Sequence, residues 1–546
     1  MFLRTTRSHL ALCSIFFLSL SQSQAASSES YPFKKPKLVL TLVVDQFRAD
    51  YLTRFKSRFL PAHGKNGAVG GYAYLMNEGA YFPFAEYNVL QAMTGPGHSI
   101  ILSGSEPYLT GIPLNNWFDS ATGQAGYCVS DPKEALVGAK GPGISPRNFQ
   151  GTTVGDELKN AGFHSRIDAV SLKDRAAVLL GGHRADLALW FDTASYQWIS
   201  SHYYVPSGTL PDWVKHLNEK TSTQKGETFT WTAEGKATEL SLPSPGEFKH
   251  IAASGGRELL STPFGLQITR EAAESAILND HLGRGEDTDM LSVSFSTHDI
   301  LGHLYGPNTL EMEEITVAED REISKLLTYI NGKVTGGLEN VVIVLTGDHG
   351  TPPGPAWAKS VGIDAGKLNG EDLVSLLEKG LTEKFGTPSK GNWVLHEVDF
   401  NFYLSRETKL SPDVVEEEAK RILSKETGVF QVVTEADYRA RKLPPGIIGR
   451  QVLKTFYPGK SGDVILIPRP FWMEEGDPVD HMTNYTYDIT VPLILKGSHL
   501  KAGVYATHAE VIDIAPTLSF LLGILSPSLS EGRVLSEAID PSSGKR

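Results

Sequence analysis

The chain has 546 residues, 40% hydrophobic and 21% charged, with a formal charge of −12. That length can bury a large core, as one domain with insertions or as two domains. An acidic balance without a Lys/Arg run argues against nucleic acid as a partner.

Residues 1–25 read as a secretory signal. Arg4 and Arg7 give a positive start, residues 10–20 an apolar stretch short for a membrane span, and Ser23-Gln-Ala25 a small-residue cleavage site. An uncleaved anchor is the alternative. Cleavage would leave residues 26–546 with Cys128 as the single cysteine. An intramolecular disulfide and a Cys-based zinc site are then excluded. The expected location is periplasmic or secreted, in a bacterium, without stable membrane insertion once the signal is gone.

Residues 38–44 are short, apolar and β-rich, which predicts a buried parallel strand, with Asp45 directly after it. Next comes Asn88-Val-Leu-Gln-Ala-Met-Thr94-Gly-Pro-Gly-His98. It places Thr94 in a Gly/Pro turn before a helical pattern. A hydroxyl there would lie near a helix N-terminus, which favours an anion such as phosphate. A plain N-cap is the alternative. A helical pattern follows at 156–161. Ser171-Leu-Lys173-Asp-Arg175 places two cations on one face if it is extended; a solvated helix start is the alternative. Residues 195–285 are rich in Ser, Thr, Gly, Pro and Trp and read as a cap inserted in the core.

Residues 290–295 and 341–345 repeat the strand pattern of 38–44, separated by a helical pattern over 311–330. Asp299 and His303 follow the first, and Asp348 and His349 the second. Each Asp/His pair could hold one dication. Two pairs suggest a two-metal site and hydrolytic chemistry on phosphorus. Ligands in open α/β sheets bind outside the carboxyl ends of the strands, so Asp45, Asp299 and Asp348 could converge. Residues 355–480 hold two helical patterns, at 371–379 and 413–425, and read as a second insertion.

Taken in order, these motifs resemble the alkaline phosphatase superfamily, and most of all its phosphate-insensitive bacterial members. The resemblance rests on Val43-Val-Asp45-Gln-Phe-Arg48, Thr94-Gly-Pro-Gly-His98, Gly111-Ile-Pro-Leu-Asn115-Asn-Trp117, Ser171-Leu-Lys173-Asp-Arg175, Asp299-x-x-x-His303, Gly347-Asp-His-Gly350 and Val511-Ile-Asp-Ile-Ala-Pro-Thr517. It implies an α/β fold: an alkaline-phosphatase-like core with a mostly parallel central sheet flanked by helices, plus inserted cap segments. It implies two zinc ions per chain. One would lie on Asp45, Asp348 and His349 with the Thr94 hydroxyl. The other would lie on Asp299, His303 and a late histidine, for which His481 is the best match and His508 the rival. The family usually has glycine after that histidine; here it is Met482. Thr94 would be the nucleophile, with Asn115, Lys173 and Arg175 on the phosphoryl oxygens. The implied substrates are small-molecule phosphate monoesters, hydrolysed through a phosphothreonine. The alternative is a phosphodiesterase or nucleotide pyrophosphatase of the same superfamily, against which Lys173 and Arg175 argue. A sulfatase would need a modifiable Cys or Ser where Thr94 stands. Oligomeric state is left open.

Overall fold

Seven consecutive residues, Leu38–Val44, form strand β1, and every one is buried. Leu38, Leu40, Leu42 and Val44 feed one apolar cluster, and Val39 and Val43 another on the opposite face. A strand covered on both faces needs this continuous apolar run rather than alternation. The computed structural model describes residues 33–120, 122–223, 228–234, 247–253 and 257–540. The signal-like residues 1–25 lie outside the described residues.

The main strands after β1 are β2 (Ala80–Glu86), β3 (Ile167–Ser171), β4 (Leu187–Asp192), β5 (Gln197–Ser201), β6 (Asp289–Phe295), β7 (Val341–Gly347) and β8 (Thr490–Lys496). With Leu136–Val137, Gly503–Val504 and Ala509–Glu510 they make an 11-stranded sheet among the described residues. Its central order is β2-β8-β7-β1-β6-β3-β4-β5. The strands from β7 to β4 run parallel. Strand β8 on one side and β5 on the other are antiparallel, so the sheet is mixed but mostly parallel. The register matters for function. Val44 lies opposite both Phe295 and Gly347, so β1, β6 and β7 end level. Whatever follows each strand emerges at one place.

Helices pack on the sheet. Three of them bear on the site: α1 (Thr94–Ile101), α2 (Asp174–Gly181) and α3 (Thr297–Tyr305). Within 195–285, several described elements pack on the core. Strand β5 belongs to the main sheet, and helix Pro263–Asn279 buries Phe264, Leu266 and Ile268 in the main cluster. The small hairpin of Thr228–Thr232 and Lys249–Ala253 adds Trp231 and Ala252 to that cluster. Within 355–480, Val394–Val398, Asn401–Leu404, Val429–Thr434 and Val464–Pro468 form a separate four-stranded sheet. It has its own apolar cluster, including Leu377, Trp393, Phe402 and Leu466. A smaller cluster joins Leu90 of the core to Val433, Ile465 and Ile467 of that sheet.

Candidate active site

The level strand ends bring three carboxylates together. Asp45 directly follows β1, and Asp348 and His349 directly follow β7. Asp299 is in the first turn of α3, with His303 one turn on along the same face. His481 comes from the loop before β8. The ligand atoms of Asp45, Asp348 and His349 lie within 4.8 Å of one another, as do those of Asp299, His349 and His481, and of His303, Asp480 and His481. Asp299 Oδ1 is 3.3 Å from His303 Nε2 and 3.7 Å from His481 Nε2. His508 lies elsewhere, with its side chain 64% exposed beside Glu510.

The three histidines are oriented alike. Nδ1 of His349 donates to Gly350 O at 2.9 Å, that of His303 to Val479 O at 3.0 Å, and that of His481 to Ala92 O at 2.7 Å. Each bond makes Nδ1 the donor and turns Nε2 toward the carboxylates, where a deprotonated Nε2 would be free to bind a cation.

Thr94 is the first residue of α1, not its N-cap; Met93 holds that place. Lys173 is the extended N-cap of α2 and Arg175 lies in its first turn. The segment is therefore a helix start, yet both cations aim inward, because Lys173 precedes the helical turns. Lys173 Nζ is 3.3 Å and Arg175 Nη2 3.4 Å from Thr94 Oγ1. Lys173 also bridges Asp45 Oδ2 at 2.6 Å and Asp299 Oδ2 at 2.5 Å. Asn115 Oδ1 accepts from Gly95 N at 2.7 Å, which leaves its NH₂ to donate elsewhere.

Three further residues complete the arrangement. Gln46 donates from its backbone to Asp348 Oδ1 and from Nε2 to Asp299 Oδ1, both at 3.0 Å. His98 sits one turn after Thr94, with Nδ1 3.1 Å from Asp348 Oδ2 and Nε2 2.9 Å from Ser294 Oγ. Asp480 Oδ1 lies 3.7 Å from His303 Nδ1. Gln46 and His98 fall inside the motifs at Asp45 and Thr94, which is the only sequence signal for them.

The electrostatics fit a dication site. Burial, and then Asp348, push the Asp45 carboxyl above its ordinary range. Burial also opposes ionisation of Asp299, but Lys173 and His303 hold it well below the usual value. Burial lowers His349, yet Asp348 and Asp45 lift it to about 9. Burial, with His349 and His303, drives His481 well below its ordinary value. Asp45 Oδ1 and His349 Nε2 are buried and face each other at 3.4 Å, yet neither makes a hydrogen bond. Orphaned atoms of this kind are costly unless a cation satisfies them. Carboxylate and imidazole together suit zinc better than calcium or magnesium.

Comparison with known proteins identifies the family and the fold. The model of the family described as type I phosphodiesterase / nucleotide pyrophosphatase matches residues 39–485. Alkaline phosphatase PhoV of Synechococcus elongatus is 31% identical, over 96% of this chain and 98% of its own. The crystal structure of alkaline phosphatase PafA superposes with a TM-score of 0.82 at 30% identity, covering 93% of this chain and 99% of that one. The chain belongs to the alkaline phosphatase superfamily. It is an alkaline-phosphatase-like phosphoesterase whose buried His/Asp clusters are consistent with two metals. Another relative, 30% identical over 97% of this chain and 98% of its own, is named a calcium-transporting ATPase in Myroides odoratus. Among the described residues of the present superfamily member, no helix is long and apolar enough to cross a membrane.

Proposed function

We propose that this enzyme hydrolyses phosphate monoesters through a phosphothreonine on Thr94. The observation that carries the reading is a hydroxyl at a helix N-terminus, within 3.4 Å of Lys173 and Arg175 and beside two buried Asp/His clusters. Asp45, Asp348 and His349 would hold one zinc ion, and Asp299, His303 and His481 the other. Bound there, the ions would supply Lewis acidity to the attacking and leaving oxygens.

Thr94 Oγ attacks phosphorus in line, so the Oγ–P bond forms as the bond to the alcohol breaks. Water then attacks from the vacated side, releasing phosphate and restoring the hydroxyl. Lys173, Arg175 and the Asn115 amide stabilise the three non-bridging oxygens through both steps. Two in-line displacements give net retention at phosphorus. A PafA variant altered at a threonine, an asparagine, a lysine and an arginine has also been solved. Those are the residue types, in order, of Thr94, Asn115, Lys173 and Arg175.

The matching family model carries a diesterase name, which makes diester hydrolysis the competing reading. A monoester has about two charges and three free oxygens, and the Lys173 ammonium complements that charge. A rate panel on a monoester, a diester and a sulfate ester of one leaving group, run beside metal analysis, decides. The expected result is a strong monoester preference with about two zinc ions per chain. A preference for the diester, or full activity without metal, would overturn the reading. We also propose export. The mature chain should begin near Ala26 in the periplasmic fraction, whereas Met1 on membrane-bound protein would refute it.

A further inference from the structure

Lys460 lies in the 355–480 segment, far in sequence from Asn115, yet it reaches the loop that carries Asn115. Its Nζ donates to Gly111 O at 2.5 Å, with Asn148 O at 3.5 Å. The same ammonium stands 4.5 Å over the Trp117 ring and 5.2 Å from that of Tyr457. Its backbone is held in turn, since Tyr403 OH donates to Lys460 O at 2.6 Å. Burial pulls the ammonium down to about 8. A lysine gripping carbonyl oxygens and an aromatic face is a costly way to fill space.

The placement of its partners explains the cost. Gly111 turns the chain out of helix Pro107–Thr110 with φ 72°. Trp117 is the second residue of the following strand, Asn116–Asp119. Asn115 lies between these two contacts. It is also tied to the nucleophile turn through Gly95 N, and Cys128 N donates to Asn115 O at 2.9 Å. We infer that Lys460 is a positioning residue that clamps the Gly111–Trp117 loop on both sides of Asn115 and so aims the Asn115 amide at the phosphoryl group. The inference rests on the role proposed above for Asn115.

The test is a double-mutant cycle in kcat/KM on an aryl phosphate monoester, with metal content measured for each protein. Lys460→Met should lower kcat/KM about tenfold with metal unchanged, and less than about twofold in the Asn115→Ala background, because coupled residues are non-additive. Trp117→Leu keeps the lysine but removes the ring face, and should show the same dependence on Asn115; it serves if Lys460→Met does not fold. Equal losses in both backgrounds would overturn the inference while leaving the role of Asn115 intact. A silent Asn115→Ala would instead strike the underlying reading.

Discussion

Met482 follows His481 with φ 81°, a left-handed backbone that costs a non-glycine residue about 1–2 kcal/mol. The strained residue directly follows His481, whose Nε2 lies 3.7 Å from Asp299 Oδ1. Met482 also packs on the main apolar cluster, so Met482→Gly relieves the strain but loses that contact, and the net gain should stay below about 1 kcal/mol. Thermal unfolding checks it, and a lower melting temperature would contradict it. Lys173 poses a chemical test at the same scale. Removing its charge-assisted contact should cost about 2–3 kcal/mol, or roughly 30- to 150-fold in monoester kcat/KM. Diester hydrolysis should fall much less, since Thr94 and the metal ligands remain. Equal losses on both esters would make Lys173 a general phosphate ligand and remove the argument for a monoesterase. Thr94→Ala should abolish both activities and leave the metals in place.

Helix α3 is the element on which the site depends most. It presents Asp299 and His303 on one face, and Gly302 on the same helix packs directly on Gln46. A Cβ at Gly302 would overlap Gln46 Oε1. Gln46 is the amide that steadies Asp299 and Asp348 together. Gly302→Ala gains about 1 kcal/mol of helix propensity but overpacks a buried contact at about 1–3 kcal/mol. The expected outcome is a lower melting temperature and weaker metal retention; unchanged values for both would show that Gln46 can give way. This element also marks how far sequence reasoning reaches. The Asp/His spacing and the strand before it are local patterns, and both could be read. The contact of Gly302 with Gln46 joins segments that meet only once β1 and β6 are paired, so no local pattern announces it. The stretch 195–285 shows the converse. Its Ser/Thr/Gly/Pro composition reads as a cap inserted in the core, and composition does not reveal which of its parts join the main sheet, as Gln197 does opposite Asp192.

Over the whole molecule, the site is backed by a buried acid that takes no part in the chemistry. Glu319 accepts from Tyr72 OH at 2.8 Å, and burial raises its carboxyl from 4.5 to about 8. The folded chain thus keeps a proton that the unfolded chain releases near 4.5. Between these values the native state binds more protons, so this group's contribution to stability falls as pH rises and levels off above 8. Glu319→Gln should flatten the decline in melting temperature across that window. An unchanged pH profile would show that Glu319 does not titrate there. One feature of the sheet reaches beyond the native state. Strand β1 is made first yet lies centrally, and its neighbours begin at Asp289 and Val341. Closing loops of that size is entropically costly and slow. The nascent chain cannot seal its central seam until more than half of it has been synthesised. It therefore lacks its central sheet through the first half of translation, a state compatible with the export proposed above.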